Sequence, residues 1–138
     1  MARRNKRRSD CPISFALDIF GDKWSLLIIR DLMFKGKKTY GEFLNSEEKI
    51  ATNILADRLT MLESEGLIES KRDKKKKSRY FYSLTEKGIA LVPVLLEIVK
   101  WSAAHDKKTA APKEFVVRVK NDREGLINEI TEQLKKNR

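Results

Sequence analysis

The stretch 50–66, IATNILADRLTMLESEG, constrains the fold more than any other part of the chain. Leu55, Leu59 and Leu62 recur at i, i+4 and i+7, the spacing that lines one side of an α-helix, and Gly66 stands where a helix stops. A core must lie on that side. The opposite side of the first turns carries Thr52, Asn53, Ala56 and Asp57, short side chains that let a helix approach a grooved surface such as a DNA major groove. An ordinary solvated helix has the same pattern, so the neighbouring segments decide between the two.

Charge is concentrated in two places. The formal net charge is +10. Residues 1–10 hold Arg3, Arg4, Lys6, Arg7 and Arg8 against Asp10, and residues 71–79 hold seven basic side chains against Asp73. Arm and loop therefore contribute +4 and +6, and the remainder balances at 18 basic and 18 acidic residues. Positive charge confined in this way suits a polyanion-binding surface, with two solvated charge runs as the bland alternative.

The 138 residues, 41% of them hydrophobic, suffice for one domain with a proper core and a tail. No apolar run is expected to span a membrane, and the basic start is followed by Asp18 and Asp22, unlike a signal peptide, so a cytoplasmic location is expected. Cys11 is the only cysteine and His105 the only histidine, which excludes an intramolecular disulfide and any Cys/His metal cluster. No cofactor and no catalytic residue is expected.

In chain order, Pro12 suits a first helical position, and Ile13, Leu17 and Phe20 follow at helical spacing before Gly21. Cys11 then lies beside the N-cap. A second helix starts with Asp22 as N-cap and runs to about Met33, burying Trp24, Leu27, Ile28 and Leu32. Thr39 and Glu42 form the T-x-x-E of a capping box opening a short helix, residues 40–45. A short capped helix, a polar turn and the 50–66 helix make the layout of a helix-turn-helix. Ala51 is a poor N-cap, so either Thr52 caps that second helix or an N–H group is left for a phosphate.

After Gly66 the period changes. LIESK and RYFYSL read as strands around a charged tip, a hairpin of the kind called a wing, and Lys74, Lys75, Lys76 and Lys77 would meet the DNA backbone. Thr85 caps a long helix over residues 86–105, kinked at Pro93, with Ile89, Val92, Leu96, Val99 and Trp101 among its apolar positions. Leu91, Val94, Leu95 and Ile98 add a second apolar face, which either a partner subunit or the C-terminal tail must cover. In the tail, KEFVVRVK alternates like a strand, and a helix follows with Leu126, Ile127, Ile130 and Leu134 on one side.

The ordered pieces CP at Cys11 and Pro12, ALDIFGDKWSLLIIRDL from Ala16, TYGEF from Thr39, ILADRLTMLESEGLIES from Ile54, RYFYSLTEKG from Arg79, and LVPVL with Trp101 resemble the HxlR family of bacterial winged helix-turn-helix regulators. The resemblance covers about residues 11–105. It implies a homodimer, held largely by the terminal helices, that binds operator DNA through the helix at Thr52 and the wing. It also implies that Cys11 is a candidate sensor of oxidants or electrophiles, in keeping with a thiol at a helix N-terminus near Arg7 and Arg8.

The expected fold is thus mainly α, in the α+β class: a winged helix-turn-helix with a two-stranded basic wing and a long C-terminal dimerisation helix. The expected domains are a basic arm at 1–10, the DNA-binding domain with its dimerisation helices at 11–106, and an extension at 107–138. The expected partners are double-stranded DNA, contacted by Thr39, Thr52, Asn53, Ala56, Arg58, Lys74, Lys75, Lys76, Lys77 and Arg79, and a second copy, contacted by Leu95, Ile98 and Trp101. The rival of another class is a winged module whose basic loop docks an acidic protein. An enzyme finds no support, since the chain has no Gly-rich phosphate loop, nucleophile elbow or metal spacing, and His105 suits a helix end or the surface.

Overall fold

The computed structural model describes residues 7–138, so Arg3, Arg4 and Lys6 of the expected basic arm lie outside the described residues. Two compact units divide the chain, one ending at Gly88 and the other comprising Ile89–Arg138. The first holds α1 (Pro12–Phe20), α2 (Ser25–Phe34), α3 (Tyr40–Leu44), α4 (Thr52–Ser64), β1 (Ile68–Arg72) and β2 (Tyr80–Leu84). A single turn, α5 (Glu86–Ile89), spans the junction, and α6 (Val92–His105), α7 (Lys113–Asn121) and α8 (Arg123–Lys136) form the second. The expected boundary at 106 therefore falls inside the second unit, because α7 and α8 pack on α6.

In the first unit the stripe on α4 is core: Leu55 and Leu62 are fully buried and Leu59 nearly so, beside Ile29 of α2 and Phe43 of α3. Truncating Leu55 or Leu62 to alanine at such positions costs about 2–5 kcal/mol each. Gly66, at φ +78°, ends α4 in the left-handed region that glycine enters freely, and Leu67 N–H returns to the Leu62 carbonyl. β1 and β2 pair antiparallel from Ile68↔Leu84 to Arg72↔Tyr80. The hairpin is fastened to its surroundings by Ser70 Oγ, which donates to Glu63 at 2.8 Å, and by Tyr82 N–H, which donates to the Lys38 carbonyl at 2.8 Å.

On α1, Ile13 is 69% and Leu17 51% exposed, Phe20 is half-buried, and the buried residue is Ile19. Several expectations need correction. Asp22 does cap α2, but from further ahead. Its Oδ1 accepts the Trp24 and Ser25 N–H groups at 2.8 and 2.9 Å, so the helix begins only at Ser25, and Trp24 and Leu27 are half-buried rather than core. Thr85 accepts the Gly88 N–H, which caps the single turn α5. The expected continuous helix is broken at residues 90–91, and Pro93 lies in the first turn of α6, where its missing N–H costs no hydrogen bond.

The expected strand at KEFVVRVK is the helix α7. Phe115, Val116 and Val119 turn inward at helical spacing while Val117 is 53% exposed, which breaks the alternation. A strand there would need a neighbour to satisfy its backbone, whereas a helix satisfies its own. The four apolar residues of α8 do share an inward side, with Leu126 fully covered. By length and composition residues 86–105 match a membrane span, contrary to the expectation that no run would. The break before Val92 divides that segment, and Val92, Leu95 and Leu96 are buried within the protein.

Candidate nucleic-acid interface

The turn between α3 and α4 is set by a polar cluster that sequence reasoning did not single out. Asp31, on α2 and 2% exposed, accepts from Ser46 Oγ in the turn, and Lys37 Nζ donates to the same Ser46 Oγ at 2.9 Å. Arg30 forks between two acids: it donates to Asp31 at 3.0 and 2.8 Å and to Glu48 at 2.7 and 3.0 Å. These hydrogen bonds from Arg30 hold the Glu48 carboxyl down at about 2. Lys49 then takes φ +57°, a left-handed value unusual for a side-chain-bearing residue, and α4 begins three residues later. The helix start is therefore aimed by a folded turn, not left on a free loop.

At that start the N-cap is Ala51, which has no side-chain oxygen to offer, and Thr52 does not take the capping role. The first-turn N–H groups of α4 thus lack a side-chain cap, the arrangement that suits an anion. Tyr40 Oη donates to the Thr52 carbonyl at 3.0 Å and ties α3 to the same spot. Thr52, Asn53, Ala56 and Asp57 are all exposed. Thr39 is engaged in its capping box, accepting from Glu42 N–H at 3.2 Å while Glu42 accepts the Thr39 N–H at 3.0 Å. Arg58, expected among the contacts, is half-buried and lies 3.3 Å from Asp22 and 3.1 Å from Asp57, so its charge is already matched within the chain.

The wing divides its cations into held and unheld ones. Lys74, Lys75, Lys76 and Lys77 are exposed at the tip. Arg72 donates to Tyr80 Oη at 2.7 Å with its guanidinium 5.3 Å from that ring centre, and Arg79 stands at the same distance over Phe81. Arg79 also donates twice to Asp73, at 2.9 and 2.6 Å, so this expected contact too is engaged within the chain. The Lys75 N–H donates to the other Asp73 oxygen at 2.9 Å, an Asx-type turn. The D-K-K run was the available sequence signal for this role of Asp73. That N–H and then the Arg79 guanidinium hold the Asp73 carboxyl below its ordinary value.

Cys11 is exposed and is itself the N-cap of α1. Its thiol is lowered from the ordinary value by the backbone N–H groups of Ser14 and Ile13, although no capping hydrogen bond closes. Arg7 and Arg8 face Asp10 and Asp18 instead, at 3.6 and 2.8 Å. Among the expected dimer contacts, Leu95 is buried in its own chain and unavailable, while Ile98 and Trp101 are 45% and 67% exposed. With Pro93, Val94, Glu97 and Arg123 they line a shallow groove of about 450 Å³ in the second unit, rimmed by the Arg123–Glu97 ion pair at 3.0 Å. His105 ends α6 with its ring 5.0 Å from that of Trp101. No cluster of metal-binding side chains occurs among the described residues.

Residues 19–110 match the family model described as HxlR-like helix-turn-helix. The chain is 36% identical over 107 residues to YdeP of Bacillus subtilis (strain 168), named an uncharacterized HTH-type transcriptional regulator, covering 75% of this chain and 83% of that one. The crystal structure of PA1607, titled a putative transcription factor, is similar at 38% identity and a TM-score of 0.65, over 78% of this chain and 71% of that one. The redox regulator HypR in its oxidized form is similar at 31% identity and a TM-score of 0.61, over 69% of this chain and 97% of that one.

Proposed function

Since this chain belongs to the HxlR-like helix-turn-helix family and is a transcriptional regulator of the helix-turn-helix type, we propose that it works as a homodimer on an inverted-repeat operator in duplex DNA. The start of α4 enters the major groove, and the wing lysines meet phosphates. One observation carries this reading: an exposed helix start without a side-chain cap and an exposed lysine tip belong to the same compact unit, each held by polar contacts that fix its geometry. Base readout falls to Thr52, Asn53 and Ala56, and backbone contact to Thr39 and residues 74–77. Arg58 and Arg79 support these elements from behind.

Two further features belong to the reading. Val94, Ile98 and Trp101 are uncovered apolar side chains on one helix, and the second copy covers them. Cys11 is the sensing thiol, supported by its position at a helix N-terminus and by the likeness to a redox regulator. The protein acts in the cytoplasm, where its DNA is, and carries out no catalysis.

Titration of labelled genomic duplex fragments over a range of salt tests the reading. Affinity is expected to fall steeply, with a log-log slope of roughly −0.9 for each phosphate neutralised. A flat salt response, or binding to an acidic protein in preference to duplex DNA, would exclude it.

A further inference from the structure

The wing contains one side chain that a phosphate-binding surface should avoid. Asp73 is the sole acid among seven basic residues at 71–79, yet it is only 7% exposed, as if built into the tip. If the loop acted as a diffuse cloud of positive charge, this carboxylate would simply weaken it. Its contacts argue otherwise. One oxygen takes both Arg79 donors, the other takes the Lys75 N–H, and the Asp73 N–H itself donates to the Arg79 carbonyl at 2.8 Å. Arg79 N–H in turn donates to the Lys76 carbonyl at 2.9 Å. Four lysines in a row repel one another, and a free loop of that composition would have to be ordered each time it met a phosphate.

We propose that Asp73 is a positioning residue for nucleic-acid binding: it holds Arg79 and the Lys75 backbone so that the tip lysines are presented in one arrangement, with Arg79 acting as a strut. This inference rests on the reading of the hairpin as a wing that contacts DNA. It separates two effects that usually move together, since removing Asp73 raises the net charge yet should lower the affinity.

The test uses the full chain with Asp73→Ala and Asp73→Asn, short random-sequence duplex DNA as the probe, and amide hydrogen exchange at Lys75 and Arg79 without DNA. Asp73→Ala is expected to bind roughly two- to tenfold more weakly than the wild type, the range set by ordering one or two long side chains anew. Asp73→Asn keeps an acceptor for the Lys75 N–H but loses the ion pair, so it falls between them. Amide protection at Lys75 and Arg79 drops in the alanine variant, which a charge effect alone would not cause. Equal or tighter binding by Asp73→Ala overturns the proposal and leaves the wing reading standing. A wild type that binds no duplex DNA overturns both.

Discussion

Cys11 stands exposed at the N-cap of α1, where backbone N–H groups rather than Arg7 and Arg8 favour the thiolate. With one cysteine in the chain, oxidation leads to a bridge between two copies or a mixed disulfide with a small thiol, and an electrophile such as a quinone gives an alkyl adduct instead. Diamide or a quinone is expected to change the DNA affinity of the wild type and to leave Cys11→Ser unaffected; an equal response in both proteins assigns Cys11 a structural role. Glu48 gives a second prediction at this scale. Its carboxyl is held at about 2 against an ordinary 4.5, so its pairing with Arg30 stabilises the fold above pH 4.5 and is lost as pH falls toward 2. Because the Glu48 side chain is 36% exposed, solvent screening reduces the contribution to roughly 1 kcal/mol. Glu48→Gln is expected to flatten the acid limb of the unfolding curve between those values, and an unchanged limb would show that the pair contributes nothing.

Among the elements, α4 and the wing should fail in different ways. Replacing Lys75 and Lys76 with alanine is expected to weaken binding to all sequences about equally and to reduce the salt slope by about one for each phosphate no longer neutralised. Changing Thr52 or Asn53 should instead alter which sequence is preferred, by roughly 1–3 kcal/mol per base pair read. Selection from a random duplex pool separates the two, and a uniform loss from the Asn53 change would mean that α4 does not read bases. The order of these elements was legible in the chain because each has a local signal: the leucine spacing of α4, the Thr39–Glu42 capping box, the alternation in β2. What was not legible depended on neighbours distant in sequence. Arg58 looks free until Asp22 is placed beside it, and Arg79 until the hairpin closes on Asp73. The alternation of Phe115, Val117 and Val119 suggests a strand only because the sequence does not disclose that, among the described residues, no neighbouring strand is there to pair with it.

At the scale of the whole molecule, Ile13 and Leu17 in the first unit and Val94, Ile98 and Trp101 in the second leave apolar surface uncovered. A homodimer on an inverted repeat has to present its two α4 helices about one DNA turn apart, roughly 34 Å, which calls for half-sites about 10 bp apart, centre to centre. Trp101→Asp puts a charge on the uncovered strip without disturbing a buried contact. It is expected to yield monomers in sedimentation and to weaken operator binding; a wild type already monomeric at micromolar concentration would exclude the arrangement.

The chain has two tryptophans, and the fold assigns one to each unit. Trp24 is half-buried before α2, whereas Trp101 faces solvent beside the groove. Trp24→Phe would leave a single chromophore whose emission maximum and access to a collisional quencher depend on what lies over α6. The protein thus carries its own optical gauge of assembly: a blue shift and protection from iodide on raising the concentration would follow the covering of that helix, with no label attached.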